Sequence, residues 1–260
     1  MADPGVDADI ATQDSFADRD QLEVEHWWFE GRRTILLHLL DRELGTNGSE
    51  RRILDLGCGT GTMLQHLDRY GIAEGLETDE AMVRSCHARG LTRVRLASPP
   101  PLPYDTGSFD LITVLDVLEH IENDRAILRE VARALRPGGL LLLTVPAYQL
   151  LWGPQDRASE HKRRYRASQV KDRIEEAGLE ATRLTYFNTL MFAPAAAIKL
   201  IRRVMQGDSE RSDCEMGGPG RLNDVLTRVF RSEARLLDRM DLPFGLSILC
   251  VATKPVAKGS

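Results

Sequence analysis

Apolar and polar residues along the chain form a regular succession of strand-like and helix-like segments. Short apolar runs bounded by turn residues are typical of buried strands, and the longer segments between them have the three-to-four-residue apolar spacing of helices. The predicted strands are 51–56, 72–77, 92–97, 109–115, 139–145, 179–187 and 246–253. The predicted helices are 60–69, 79–89, 123–135, 168–178 and 221–240. This alternation predicts an α/β fold, a seven-stranded, mostly parallel sheet with helices on both faces.

The segments around this alternation differ in composition and divide the chain into three predicted regions. Residues 1–20 carry six Asp and one Arg with few apolar side chains, which predicts a disordered acidic tail. Residues 21–45 have a helical pattern and predict an N-terminal helical lid. Residues 46–255 form the predicted main domain, in which 188–240 is a helical insertion that caps the binding pocket.

The first predicted strand ends in an acid followed by three glycines at alternate positions. Asp55 precedes Gly57, Gly59 and Gly61, so the glycine spacing is GxGxG. Because glycine has no Cβ, such a loop can adopt positive φ and let a ligand lie against bare backbone. Dinucleotide-binding loops usually have the spacing GxGxxG, and an acid beside the loop would repel a diphosphate. A carboxylate at this point suits a ligand with a cationic amino group, such as a nucleoside that carries an amino acid.

Other polar candidates also stand at the ends of predicted strands. Glu77 and Thr78 follow the second strand, Ser98 follows the third, and Asp116 and Val117 follow the fourth. Ligands of open α/β sheets bind at the carboxyl ends of the strands, near the switch in strand order. We therefore expect these residues and the glycine loop to share one site.

The segment 55–61 resembles the first motif of the class I S-adenosylmethionine (SAM) dependent methyltransferases. The segments 102–104, 108–112, 116–120 and 135–139 resemble later motifs of that family, in the same order. The resemblance implies a Rossmann-like fold with an antiparallel last strand, SAM as cofactor and S-adenosylhomocysteine as product. It also implies methyl transfer to an oxygen or nitrogen of a small or medium-sized molecule.

The resemblance further implies a set of cofactor contacts. They are Trp28, Arg32, Asp55, Gly57, Cys58, Gly59, Gly61, Glu77, Thr78, Ser98, Asp116 and Val117. Glu77 would accept hydrogen bonds from both ribose hydroxyls, where the family more commonly has Asp. Ser98 stands where the family commonly has an acid that binds the adenine amino group, and a hydroxyl can still accept that bond.

Three consecutive aromatic residues, Trp27, Trp28 and Phe29, precede Arg32 near the start of the chain's first helical pattern. They place large apolar surface on more than one helix face, more than a solvent-facing helix usually shows. In one interpretation they dock the helix onto the core. In the other, an aromatic ring closes over the cofactor while Arg32, or Arg33 instead, pairs with the methionyl carboxylate, for which a planar guanidinium is well suited. The His-Trp-Trp-Phe opening resembles that of bacterial small-molecule methyltransferases.

The segment after the fifth strand is where the resembled family opens its acceptor pocket. Methyl transfer at a sulfonium needs alignment and, for a hydroxyl or protonated amine, removal of a proton. His161 is the predicted base because imidazole titrates near neutral pH, and Tyr165 is predicted to orient the acceptor. Tyr148 and Trp152 form a predicted aromatic wall. The alternative is that 161–164 form a solvated charged turn and that transfer needs only proximity.

Charge, cysteine content and hydropathy limit the kinds of partner and the cellular compartment that we expect. With 34 basic and 39 acidic residues the net charge is −5, which argues against a nucleic-acid partner. Four scattered cysteines without paired spacing favour a reduced cytoplasm. The sequence contains no apolar run of about 18 residues, so we predict no transmembrane segment. The basic apolar stretch 188–205 suits peripheral contact with a lipid-linked acceptor.

No metal-ligand spacing appears beside the site, so we predict no metal. Glu119 and His120 are interpreted as a helix cap and a satisfied polar pair.

We therefore expect a SAM-dependent methyltransferase with a partly hydrophobic acceptor, such as a specialised metabolite, a sugar derivative or a lipid-linked intermediate. One alternative is a non-catalytic SAM-binding partner or regulatory module, against which the intact Asp55, glycine loop and Glu77 argue. Another is an aminopropyltransferase or dehydrogenase on a related fold. An Arg32 that pairs with a carboxylate disfavours the first of these two enzymes.

Overall fold

A computed structural model describes residues 25–45, 50–193 and 220–256. The predicted acidic tail 1–20 lies outside these ranges, and so does 194–219, the central part of the predicted insertion 188–240. None of the helices within the described ranges is long and apolar enough to cross a membrane.

Seven strands form one sheet in the described part of the chain. They are β1 (Arg52–Leu56), β2 (Ile72–Glu77), β3 (Val94–Leu96), β4 (Phe109–Leu115), β5 (Leu135–Pro146), β6 (Glu180–Phe187) and β7 (Ser247–Thr253). Their order across the sheet is β3-β2-β1-β4-β5-β7-β6, and β7 runs antiparallel to both β5 and β6. The first six strands are therefore mutually parallel, and their carboxyl ends meet at one edge. The predicted Rossmann-like sheet with an antiparallel last strand is confirmed.

Seven α-helices are described. They are α1 (Trp27–Leu44), α2 (Thr62–Leu67), α3 (Glu80–Ala88), α4 (Asp124–Ala134), α5 (Pro154–Ala158), α6 (Ala167–Glu176) and α7 (Arg221–Leu237). Short 3-10 helices cover Leu118–His120 and Gln149–Leu151. The sequence does not predict α5, because a helix of little more than one turn shows no apolar period.

Apolar side chains cover both faces of the sheet. Leu54 and Leu143 belong to the core under α4 and α6, whereas Ile53 and Leu142 belong to the core under α1 and α7. Neighbouring residues of one strand point to opposite faces, so continuous apolar runs are what a sheet buried on both faces requires.

The N-terminal helix α1 packs closely on α7. A Cβ at Gly31 would lie only 2.3 Å from Cδ1 of Phe230. The Trp27 ring makes an edge contact with Phe230 at a centroid distance of 5.9 Å, and the Trp27 N–H donates to Oδ1 of Asn223 at 2.8 Å. Trp27 thus docks the helix onto its neighbour, which agrees with the first interpretation of the aromatic run. Arg32 follows Gly31 on a helix that this contact holds in place.

Candidate cofactor and acceptor site

The loop between β1 and α2 has the backbone conformation that its glycines favour. Gly57, Gly59 and Gly61 have φ angles of 72°, 54° and 78°, in the left-handed region. A Cβ at Gly57 would lie 2.5 Å from Cγ2 of Val117, so the loop rests directly against the residue pair that follows β4. Any side chain at Gly57 would be both strained and sterically blocked.

The Glu77 carboxylate joins the end of β2 to the glycine loop. Its Oε2 accepts a hydrogen bond from the Gly59 N–H at 2.8 Å. Its Oε1 accepts from the N–H groups of Thr78 and Asp79 at 2.7 and 3.1 Å, and from the Thr78 hydroxyl at 3.2 Å. The two oxygens therefore fix both the loop and the turn after β2.

The Asp55 carboxylate, at the base of the loop, is only 3 % exposed. Its Oδ1 accepts a hydrogen bond from the Thr113 hydroxyl at 2.6 Å, and the two residues stand opposite each other in the parallel pairing of β1 and β4. A buried carboxylate needs such a donor, because without one its burial would be costly. The sequence analysis did not select Thr113, although it is a lone hydroxyl within an apolar strand.

Trp28 and Arg32 of α1 reach the carboxyl edge of the sheet beside Asp116. The Arg32 Nε lies 2.9 Å from Oδ2 of Asp116, and the guanidinium carbon lies 5.1 Å from the centroid of the Trp28 ring. Neither the Arg32 Nε nor the Asp116 Oδ2 has a hydrogen bond of good geometry, so the two groups form an ion pair without an aligned hydrogen bond. Arg32, one of the two candidate arginines, thus faces the strand ends.

Cys58 and Ser98 lie at the margins of this edge. A Cβ at Gly75 would lie 2.6 Å from the Cys58 Sγ, so the thiol points toward β2. The contact that Cys58 can offer a ligand in the loop is therefore through its backbone. A hydrogen bond with Cys86, followed by burial, raises the pKa of the Cys58 thiol. Ser98 is exposed and lies two residues after Leu96, the last residue of β3.

His161 is held by a buried acid that the sequence analysis missed. The His161 Nδ1 lies 3.0 Å from Oδ1 of Asp156, whose side chain is fully buried. The Arg164 Nε donates to the same oxygen at 2.6 Å, and the Gly153 N–H donates to Oδ2 at 2.8 Å. Burial by itself raises the pKa of Asp156, but the hydrogen bonds from His161 and Arg164 lower it to about 2. An ionised Asp156 favours the tautomer in which His161 Nδ1 carries the proton and Nε2 carries the lone pair.

Glu119, His120 and His161 form a compact group beside this pair. One potential ligand atom from each lies within 4.8 Å of the other two, and the two imidazole rings stand at 90° with centroids 4.7 Å apart. The Glu119 carboxylate is fully buried, and neither of its oxygens has a hydrogen-bond partner. Burial, and then the charge of Asp116, raise the pKa of Glu119. The interpretation of Glu119 as part of a satisfied polar pair is therefore wrong.

The aromatic residues predicted around the acceptor lie in different environments. Tyr165 is 2 % exposed, and its hydroxyl donates to Oδ2 of Asp124 at 3.1 Å, which is how a buried tyrosine satisfies its polar end. This core position does not support a role for Tyr165 in orienting the acceptor. Tyr148 stacks on Tyr186 with centroids 5.2 Å apart, and the partly exposed Trp152 ends the turn before α5.

The strand order, the left-handed glycine loop and the acids at the strand ends define a Rossmann-like class I methyltransferase fold. A family model described as a methyltransferase domain matches residues 26–184, which is more than half of the chain. The chain therefore belongs to this methyltransferase-domain family.

Curated relatives of the chain have names that agree with this family. A probable SAM-dependent methyltransferase of Mycolicibacterium smegmatis is 29 % identical over 165 residues, which cover 61 % of this chain and 62 % of that protein. A ubiquinone biosynthesis O-methyltransferase of Xanthomonas oryzae pv. oryzae is 35 % identical over 100 residues, which cover 36 % and 42 %. The chain thus spans less than two thirds of the length of these two relatives.

Solved structures show the same fold at low identity. Phosphoethanolamine N-methyltransferase 2 of Haemonchus contortus in complex with SAM has a TM-score of 0.55 and 18 % identity, over 85 % of this chain and 52 % of that chain. The [4+2]-cyclase SpnF has a TM-score of 0.52 and 22 % identity, over 86 % and 82 %. Because one of these neighbours is a cyclase, the fold alone does not determine the reaction.

Proposed function

We propose that the protein transfers a methyl group from SAM to an oxygen or nitrogen of a small or medium-sized, partly hydrophobic acceptor. The observation that carries this proposal is the His161 imidazole held at Nδ1 by the buried Asp156. The Lys162 N–H donates to the Glu119 carbonyl at 2.7 Å, which ties the His161 segment to the turn that begins at Asp116. A proton acceptor therefore stands beside the edge where the cofactor residues meet.

The residues at the strand ends fit SAM, which supplies a methyl group activated by a sulfonium when bound. The bare backbone at Gly57, which a Cβ would fill, admits a close ligand. We assign Asp55 to the cationic amino group, Glu77 to the ribose hydroxyls and Arg32, covered by Trp28, to the methionyl carboxylate. The remaining predicted contacts of this proposal are Cys58, Gly59, Gly61, Thr78, Ser98, Asp116 and Val117.

His161 is assigned as the general base. Asp156 holds the proton on Nδ1 and stabilises the imidazolium that forms, so Nε2 accepts the proton of the acceptor group. Bound SAM would supply the methyl group to the acceptor oxygen or nitrogen, and its sulfur would leave as the thioether of S-adenosylhomocysteine. Alignment by the pocket supplies much of the rate enhancement, since the reaction is a displacement between two bound groups.

Aromatic rings beyond β5 and β6 favour a partly hydrophobic acceptor. Besides stacking on Tyr186, Tyr148 meets Phe192 at 5.7 Å, and Phe192 lies 5.5 Å from Phe244, which is partly exposed. With Trp152 they form our proposed acceptor wall, and we assign helix α1, with its His-Trp-Trp-Phe opening, as a lid over it. The relatives that act in ubiquinone biosynthesis as O-methyltransferases favour oxygen as the acceptor atom. A specialised metabolite, a sugar derivative or a lipid-linked intermediate in the cytoplasm fits this wall.

Calorimetric titration with SAM, S-adenosylhomocysteine and NAD is the first test. We expect binding of the first two, no binding of NAD, and loss of SAM binding in Asp55→Asn, because the amide cannot neutralise a cationic group. A panel of phenols, sugar derivatives and amines is then screened for release of S-adenosylhomocysteine in buffer containing EDTA. SAM binding without turnover of any acceptor would favour the non-catalytic SAM-binding module.

The base assignment has its own matched control. His161→Asn should lower kcat by about 10²- to 10⁴-fold with the SAM affinity unchanged. His38→Asn removes another imidazole that pairs with a carboxylate, Asp238 at 2.8 Å on the surface, and should change neither quantity. A variant with full kcat would show that His161 is not the base.

A further inference from the structure

The Glu119 carboxylate is a buried polar group whose two oxygens the described part of the fold leaves without a partner. It is fully buried in the short helix Leu118–His120, and both of its oxygens lack a hydrogen-bond partner. Its cationic neighbours are already engaged, since Arg32 pairs with Asp116 and Arg164 binds Asp156. Buried carboxylates in native proteins are nearly always paired, so an unpartnered one indicates a group that the protein chain does not supply.

The surroundings of Glu119 identify that group as a cation. Nitrogen atoms of His120 and His161 lie within 4.8 Å of a Glu119 oxygen and of each other. Asp156 engages Nδ1 of His161, which leaves Nε2 as the donor atom. A carboxylate that fixes the outer nitrogen of a histidine is the usual support of metal-binding histidines. His120 is exposed, so an ion has a path from solvent to the buried carboxylate.

In place of the sequence-based prediction of no metal, we propose that Glu119, His120 and His161 bind a divalent transition-metal ion whose remaining positions take an oxygen of the methyl acceptor. Two imidazoles and one carboxylate suit Zn²⁺, Mn²⁺, Fe²⁺ or Co²⁺, and a three-residue set leaves positions open. Three atoms separated by at most 4.8 Å lie on a circle of radius up to about 2.8 Å, against ligand distances of about 2.0–2.2 Å for zinc. Side-chain movements of less than about 1 Å therefore complete the site.

The catalytic consequence rests on the proposed function. Nε2 of His161 has one lone pair, so it acts as a base in the metal-free protein and as a ligand in the loaded one. A coordinated hydroxyl loses its proton to solvent water more readily, because the cation stabilises the oxyanion. That oxyanion attacks the methyl carbon, and the carbon–sulfur bond breaks with its electron pair on sulfur. The acceptor class is then a hydroxyl compound, because a metal-bound oxygen is the nucleophile.

Cobalt titration of the full chain tests the site without reference to turnover. The protein is stripped with EDTA, freed of any affinity tag and titrated with Co²⁺, with calorimetry and the visible cobalt spectrum as readouts. We expect one equivalent to bind. Asp156→Asn should weaken binding by roughly 10- to 100-fold, as expected for loss of an outer partner, and Glu119→Gln and His120→Gln should weaken it further.

Two variants control for burial and for surface histidines. Glu233→Gln alters another buried carboxylate with an oxygen that lacks a partner, and His38→Gln alters another imidazole that pairs with a carboxylate. Both should bind Co²⁺ like the wild type. Absence of stoichiometric binding, or equal loss in Glu233→Gln and Glu119→Gln, would overturn the proposal.

SAM titration of the same samples separates the two hypotheses. SAM binding without Co²⁺ binding would refute the metal site and leave the proposed methyl transfer intact. Co²⁺ binding without SAM binding would support the metal site and refute the proposed function.

Discussion

Replacing Gly31 by Ala should destabilise the protein, although the same change in an exposed helix stabilises it by about 1 kcal/mol. Gly31 is buried within α1, and a Cβ there would lie 2.3, 2.6 and 2.9 Å from Cδ1, Cγ and Cβ of Phe230. Phe230 is fully buried, so it cannot rotate into solvent. Overpacking costs about 1–3 kcal/mol, and three contacts under 3 Å place this site in the upper half of that range. The expected net loss of unfolding free energy is about 1–2 kcal/mol.

Urea denaturation of a double-mutant cycle measures this contact directly. Phe230→Ala alone should cost about 3–5 kcal/mol because it opens a cavity. In that background Gly31→Ala should cost less than in the wild type, because the contacts with Cδ1 and Cγ are gone and only the Cβ contact at 2.9 Å remains. SAM affinity is a second readout, since displacement of α1 moves Arg32 away from Asp116. A stabilising Gly31→Ala in the wild-type background would refute the close packing of α1 on α7.

Two further predictions concern the loop and the buried acid. Gly57→Ala should cost about 1–2 kcal/mol of unfolding free energy for the left-handed backbone, plus the clash with Val117, and should weaken SAM binding. Adding Val117→Ala should relieve only the clash. Thermal unfolding and SAM titration measure the two effects. Asp156 has a pKa of about 2 when folded against an ordinary 3.8, so its stabilisation is complete above pH 3.8 and fades toward pH 2. Between pH 5 and 3 the wild type should lose about 1 kcal/mol more unfolding free energy than Asp156→Asn, and equal losses would contradict the ion pair.

The sheet and the conformation of the glycine loop were predictable because their signals are local. Asp55 and the three glycines are consecutive or alternate in sequence, so backbone conformation and chemistry can be inferred together. The continuous apolar runs that predict buried strands likewise depend on near neighbours. Thr113 escaped prediction because its importance comes from the strand register, which places it opposite Asp55 and which the sequence of one strand does not contain.

The group around His161 could not be inferred from spacing, because long-range folding creates it. His161 follows His120 by 41 positions, and the two meet because the segment after α5 returns to the Leu118–His120 helix. Asp156 lies in a helix too short to show periodicity. Tyr165 stands four residues after His161, yet its hydroxyl points into the core toward Asp124. Residue type alone does not separate a tyrosine of a pocket wall from a tyrosine of the core.

Loss of SAM affinity in a Glu77 variant will not by itself identify a ribose ligand. The carboxylate that is assigned to the ligand also accepts the Gly59 N–H, so truncating it releases the loop from β2. Deoxy analogues of SAM titrated against the wild type avoid this ambiguity, because they remove the ribose hydroxyl and leave the hydrogen bond between Gly59 and Glu77 in place. The conformation of the glycine loop thus depends partly on Glu77 of the neighbouring strand β2. Intact glycines alone do not ensure that the loop has the conformation needed to bind a ligand.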